Sequence, residues 1–175
     1  IGAVIAVGVL HQPKPRLFRN DDSVPMEGDS VEGVGVGEVF ITAGQSNSAN
    51  WGRPKLAPES DLVVAMTDQG IWQSAADPQP WADGPDGSPW PALGDFLVER
   101  LQVPIGLVSV GWGGTAVGEW LPGAPGPDRD PLYDRLQQAL TMLGPNGVRA
   151  VLWHQGENDA YEETPADEYR SRLQT

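Results

Sequence analysis

Val39-Phe40-Ile41-Thr42-Ala43-Gly44-Gln45-Ser46-Asn47 decides the fold. The first five residues are apolar or β-branched, the composition of a strand covered on both faces. Gly44 turns the chain. Ser46 then stands just past the carboxyl end of that strand, among Asn47, Ser48 and Asn50, which suit a turn or a helix start. A serine placed there is exposed, near free backbone N–H groups, and favours a developing alkoxide. Taken alone, the tetrapeptide Gly44–Asn47 favours a serine that only caps the next helix. Two later stretches turn the balance toward a nucleophile.

Both repeat the arrangement. Ile105-Gly106-Leu107-Val108-Ser109-Val110 is a buried strand, followed by Gly111-Trp112-Gly113-Gly114-Thr115. Val148 to Trp153 is a third core strand, followed by His154-Gln155-Gly156-Glu157-Asn158-Asp159. Helices are expected between them. Ser88-Pro89 opens one, with Ser as N-cap and Leu93, Phe96, Leu97 and Leu101 as its apolar stripe. Asp130-Pro131 opens the next, with Leu132, Leu136, Ala139, Leu140 and Leu143 on one face and Gly144-Pro145 as its stop. Thr164-Pro165-Ala166-Asp167 starts a last helix with a capping-box pattern, and this helix reaches Thr175 without a C-cap signal.

Strand alternating with helix gives an α/β fold with a parallel central sheet. Right-handed crossovers bring the three loops to one sheet edge, where ligands of open α/β sheets bind. Ser46, Gly113 and Asn158 are therefore expected in one crevice.

Acyl transfer needs a nucleophile, a base, an orienter for the base and oxyanion donors. Ser46 is the candidate nucleophile. The N–H groups of Ser46 and Gly113 are candidate donors, with the side-chain amide of Asn158 or of Gln155 as a third. An ordinary tight turn at Gly113-Gly114 and a turn-capping Asn158 are each reasonable singly. Their joint recurrence after buried strands is less so.

Gly44-Gln45-Ser46-Asn47, Trp112-Gly113-Gly114-Thr115 with Glu119-Trp120, and Trp153-His154-Gln155-Gly156-Glu157 together resemble the sialate O-acetylesterase-like carbohydrate esterases of the SGNH hydrolase superfamily. The resemblance spans residues 36–175, in order and spacing. It implies a flavodoxin-like three-layer α/β/α sandwich and metal-free, cofactor-free hydrolysis of acetyl esters on sugars. It implies Ser46 as nucleophile, Gly113 as oxyanion glycine, and Asn158 as donor within a Gly-x-Asn-Asp block. Gln45, Trp112, Gln155 and Glu157 are implied at the substrate. Two departures stand out. Ser46 is followed by Asn47-Ser48 where many relatives carry Asn-Met. The family's Asp-x-x-His, source of the base, is absent, and the histidines are His11 and His154. His154 reads as structural or substrate-lining. The base is therefore expected in a remainder beyond Thr175, and the domain is expected to be incomplete at that end. A chain stopping at Thr175 would then be a poor catalyst. A non-catalytic carbohydrate-binding protein of the same fold is the alternative, and a hydrolase of lipid or aryl esters a third reading.

Composition narrows the partners. The 175 residues carry a formal charge of −13, which disfavours nucleic acid and anionic membrane surfaces. There is no cysteine, hence no disulfide or thiolate nucleophile. Seven tryptophans lend modest support to a sugar ligand. Residues 1–35 read as an extended, loop-rich segment preceding the 36–175 domain. Within it, the apolar run 1–10 is too short to span a bilayer. It resembles the apolar part of a secretory signal, but no Met or basic segment precedes it, so a buried strand is preferred. A secreted or extracytoplasmic location is favoured. Val31, Val34, Val36 and Val39 are expected in an edge strand. Leu62–Met66 and Ile71-Trp72, joined through Asp68-Gln69-Gly70, are expected as a hairpin, and 74–89 as a long loop.

Overall fold

A computed structural model of the protein describes residues 4–9, 37–127 and 131–175. Six strands form one mixed sheet: β1 (Val4–Val9), β2 (Glu38–Gly44), β3 (Val63–Met66), β4 (Trp72–Ser74), β5 (Ile105–Ser109) and β6 (Ala150–Gln155), in the order β1-β6-β2-β5-β3-β4. The four inner strands are parallel; β1 and β4 pair antiparallel at the two edges. The motif-bearing strands lie side by side as β5-β2-β6. The chain passes from β2 to β5 on one side, then crosses back to β6 on the other. β2 is thus at a topological switch point, where a crevice opens beyond the carboxyl ends of the strands.

Pleating divides the core in two. Phe40, Leu107 and Leu152 face the helix α1 (Trp90–Leu101), against Trp90, Leu93, Leu97 and Val98. Their neighbours Ile41, Val108 and Trp153 face the opposite layer, built from α2 (Leu132–Leu143) and α4 (Ala166–Leu173). The sandwich is therefore three-layered, α/β/α, as expected. The stripe Leu132, Leu136, Ala139, Leu140 and Leu143 is the buried face of α2. Gly144 ends that helix at φ 69°. The β3–β4 hairpin forms around the turn at 68–70.

Several local expectations are corrected. Val4–Val9 forms the expected strand, and it lies at one edge of the sheet, antiparallel to β6. Val39 lies in central β2 rather than an edge strand, while 31–36 and the Asp130 cap fall outside the described residues. In α1, Phe96 and Leu101 are exposed, because the helix is turned to bury Trp90, Pro91 and Gly94 instead, with Leu93 and Leu97 partly buried. Its N-cap position is Pro89; Ser88 Oγ accepts the Trp90 N–H at 3.4 Å and donates to Asp77 at 2.7 Å. β6 runs on to Gln155, because β1 and β2 supply partners as far as Gln155 and His154. The following loop contains a short helix, α3 (Glu157–Tyr161), unannounced by any periodicity. Thr164 does not cap α4; its N–H bonds the Asp159 carbonyl, and α4 closes at Gln174.

Candidate active site

The first loop is set by a glycine that no other residue could replace. Gly44 has φ 125°, and a Cβ there would lie 2.0 Å from the His154 carbonyl oxygen. That closeness lets the Gln45 N–H reach the same oxygen at 3.1 Å, tying the nucleophile turn to β6. On the other side, the Gly44 carbonyl accepts the Trp112 N–H at 2.9 Å, tying it to β5. Ser46–Ser48 then forms a single 3-10 turn without a side-chain cap. Ser46 is half-buried, and among the described residues no hydrogen bond engages its Oγ. It does not serve as a capping residue. Asn50, at φ 63°, clamps the turn to the long loop by bonds to both backbone groups of Gln79, at 2.8 and 2.9 Å.

Two glutamines weld the three loops below the surface. Gln155 is fully buried, and its amide N–H groups are shared among Gln45 Oε1 at 3.1 Å, the Thr115 carbonyl at 2.9 Å and Asp159 Oδ2 at 2.6 Å. Gln45 Oε1 also accepts the Asn158 N–H at 3.0 Å. Asp159 Oδ2 takes the Val117 N–H at 2.8 Å, anchoring the segment after the second loop. Buried polar groups of this kind stabilise only when paired, and leaving one unpaired costs about 1–3 kcal/mol. Burial puts Gln155 beneath the loops, and its amide N–H groups are committed to holding them, while its Oε1 has no hydrogen-bond partner among the described residues. Gln45, 5 % exposed, is committed likewise.

The candidate oxyanion donors lie above this network, and each donates to a carboxylate. The Gly113 N–H donates to Asp83 Oδ1 at 2.9 Å, and Asn158 Nδ2 donates to Glu162 Oε1 at 2.9 Å. Glu157 is exposed and accepts from Asn47 Nδ2 at 3.0 Å; His154 Nε2 is 3.9 Å from the same oxygen. Trp112 is half-buried, with the Arg135 guanidinium 5.0 Å from its ring centroid. Behind it, Tyr169 Oη accepts the Trp153 indole N–H at 3.0 Å, and burial raises its phenol above the usual range. Asp83, Thr115 and Asp159 were not singled out from the sequence. Asp159 had a signal, its place in Gly-x-Asn-Asp; Asp83 lies in an aperiodic Pro/Asp/Gly loop and had none.

Comparison with known proteins agrees with this architecture. The family described as carbohydrate esterase, sialic acid-specific acetylesterase matches residues 36–175. A probable carbohydrate esterase of Arabidopsis thaliana is 29% identical, the match covering 78% of this chain and 60% of that protein. The present chain thus spans only part of the curated relative's length. The crystal structure of the Arabidopsis protein superposes with TM-score 0.56 at 23% identity, covering 78% of this chain and 69% of that one. A carbohydrate acetylesterase from Xanthomonas citri gives TM-score 0.56 at 23% identity, covering 80% and 37%. These likenesses confirm the fold, and the family match fixes the assignment: the chain belongs to the carbohydrate esterase, sialic acid-specific acetylesterase family.

Proposed function

We propose that this protein is a serine esterase that removes acetyl groups from carbohydrates through an acyl-enzyme on Ser46. The observation that supports the reading is that Gln45 and Gln155 join the three loops beside the turn that bears Ser46, whose Oγ no hydrogen bond engages among the described residues. Ser46 Oγ attacks the ester carbonyl carbon and passes its proton to a general base. The oxyanion so formed takes hydrogen bonds from the Gly113 N–H and Asn158 Nδ2. The sugar leaves as an alcohol, reprotonated by the base, and water releases acetate from acetyl-Ser46. Both donors bond a side-chain carboxylate oxygen, of Asp83 and of Glu162, rather than a backbone carbonyl. In the reaction the substrate oxygen replaces those carboxylates; such bonds commonly tighten only in the complex. Gln45 and Gln155 position the loops.

The base is proposed to come from an Asp-x-x-His segment outside these residues, in keeping with the family resemblance. His154 is held at the end of β6, beside Glu157, and makes no hydrogen bond to Ser46 among the described residues. The bonded pair Asn47 and Glu157, beside Ser46, is proposed to bear on which sugar hydroxyl carries the acetyl group.

Acetate release from a panel of acetylated sugars tests the reading in the natural full-length protein. Acetyl esters should be cleaved much faster than octanoyl esters. The reverse order would favour a lipase-like enzyme, and no hydrolysis of any ester would favour a sugar-binding protein.

Asn158→Ala should lower kcat about 10²–10³-fold, the effect of losing one oxyanion donor, with little change in KM. Undiminished kcat would remove Asn158 from the oxyanion site.

A further inference from the structure

The seven tryptophans have separate fates. Trp81, Trp90, Trp120 and Trp153 are buried, Trp72 and Trp112 are half-buried, and Trp51 is 49% exposed. An indole so exposed forfeits apolar burial, yet everything around Trp51 is fixed. Its backbone N–H bonds the Ser46 carbonyl at 3.0 Å. The preceding residue is the clamped Asn50, and the next, Gly52, forms a two-way bridge with Gly87 at 2.8 Å in each direction. The ring lies against Gly113: a Cβ there would come within 2.6 Å of Trp51 Nε1 and 3.0 Å of Cδ1. The indole N–H donates to Asp83, 3.2 Å from Oδ1 and 3.3 Å from Oδ2. Asp83 can therefore release Gly113 to the oxyanion while keeping hold of the indole.

We infer that Trp51 is the sugar-stacking platform of this site, taking the C–H face of the pyranose or furanose ring whose acetyl ester lies between Ser46 and Gly113. The inference rests on the esterase reading and deepens it. An indole 49% exposed, held through its N–H by Asp83 and carried on backbone bonded to the nucleophile turn, is preorganised for a ring and loses little entropy on binding. A side chain at position 113 would have to displace the indole, which occupies that place. The platform stands on the residue whose backbone N–H bonds the Ser46 carbonyl, so in this proposal it orients the leaving alcohol rather than the acyl group.

Steady-state kinetics with glucose pentaacetate and with ethyl acetate, which has no ring, tests this in the natural full-length protein. Trp51→Leu keeps an apolar side chain over Gly113 but removes the flat face. It should lower the ratio of kcat/KM for glucose pentaacetate over ethyl acetate roughly 10–100-fold, mostly through KM. Trp51→Phe should recover most of that ratio. If Trp51→Leu lowers both substrates by the same factor, the indole only supports Gly113 and the proposal is overturned. An unchanged ratio overturns it too. If the wild-type protein cleaves neither ester, the esterase reading fails first. Saturation-transfer NMR with glucose pentaacetate then decides the platform separately: transfer from the wild type to the sugar-ring protons that is lost in Trp51→Leu upholds it, and transfer that persists in the variant, or none from the wild type, rejects it.

Discussion

Ser46→Ala should lower kcat for acetyl ester hydrolysis in the natural full-length protein by a factor on the order of 10⁴–10⁶. The substitution removes one oxygen that no hydrogen bond engages among the described residues, so the fold has little to lose. The turn is held by the Gln45 and Trp112 backbone bonds and by the Asn50 clamp, none of which uses the serine side chain. Thermal stability should stay close to wild type while turnover collapses. A serine-directed organophosphonate should label the wild type at this residue and leave the variant unlabelled. Labelling that persists in Ser46→Ala would assign the nucleophile elsewhere. Residual hydrolysis is expected from the oxyanion donors and substrate binding alone. Equal turnover in variant and wild type would remove the acyl-enzyme from the mechanism.

Gly44→Ala should be the most damaging small substitution in the fold. The added carbon would lie 2.0 Å from the His154 carbonyl oxygen, a backbone atom that no rotamer change can move. At φ 125° the residue also occupies backbone space that alanine avoids. Relief requires β2 and β6 to part at their carboxyl ends. That would break the Gln45 bond to His154 and shift the Gly44 carbonyl away from Trp112. The three loops would separate together, because Gln45 and Gln155 join them at that point. We expect a loss of about 4 kcal/mol or more, equivalent to a fall of roughly 8–16 °C in Tm for a domain of this size. Activity should fall with it. A Tm within about 2 °C of wild type, read by circular dichroism or calorimetry, would show that the turn is softer than its geometry indicates.

How these residues were legible differs from place to place. β2, β5 and β6 are continuous apolar runs ended by glycine-bearing loops, and their inner position follows from needing cover on both faces. The α2 stripe follows the helical period because one face meets the sheet and the other meets water. α1 was less transparent. Phe96 and Leu101 share its apolar composition but not its buried side, and only the packing of Trp90 and Gly94 on β3 and β5 fixes the rotation. The short α3 has one turn and no period to show. The Thr164 pattern matched a capping box, but the chain entered α4 through Pro165, without a side-chain hydrogen bond.

The sequence by itself determined the α/β class and the place after the core strands of the loops that bear Ser46, Gly113 and Asn158. These depend on local rules: which residues tolerate burial, which turn, and which cap. Tertiary structure alone decided which glutamines sit beneath the loops, that Asp83 reaches Gly113 across 30 positions of chain, and which of seven tryptophans faces solvent. The physical reason is that hydrogen-bond partners and exposure are properties of the assembled sheet. Asp83 and Trp51 sit in segments without periodicity, and their roles come from where β2 and β5 bring the ends of those segments.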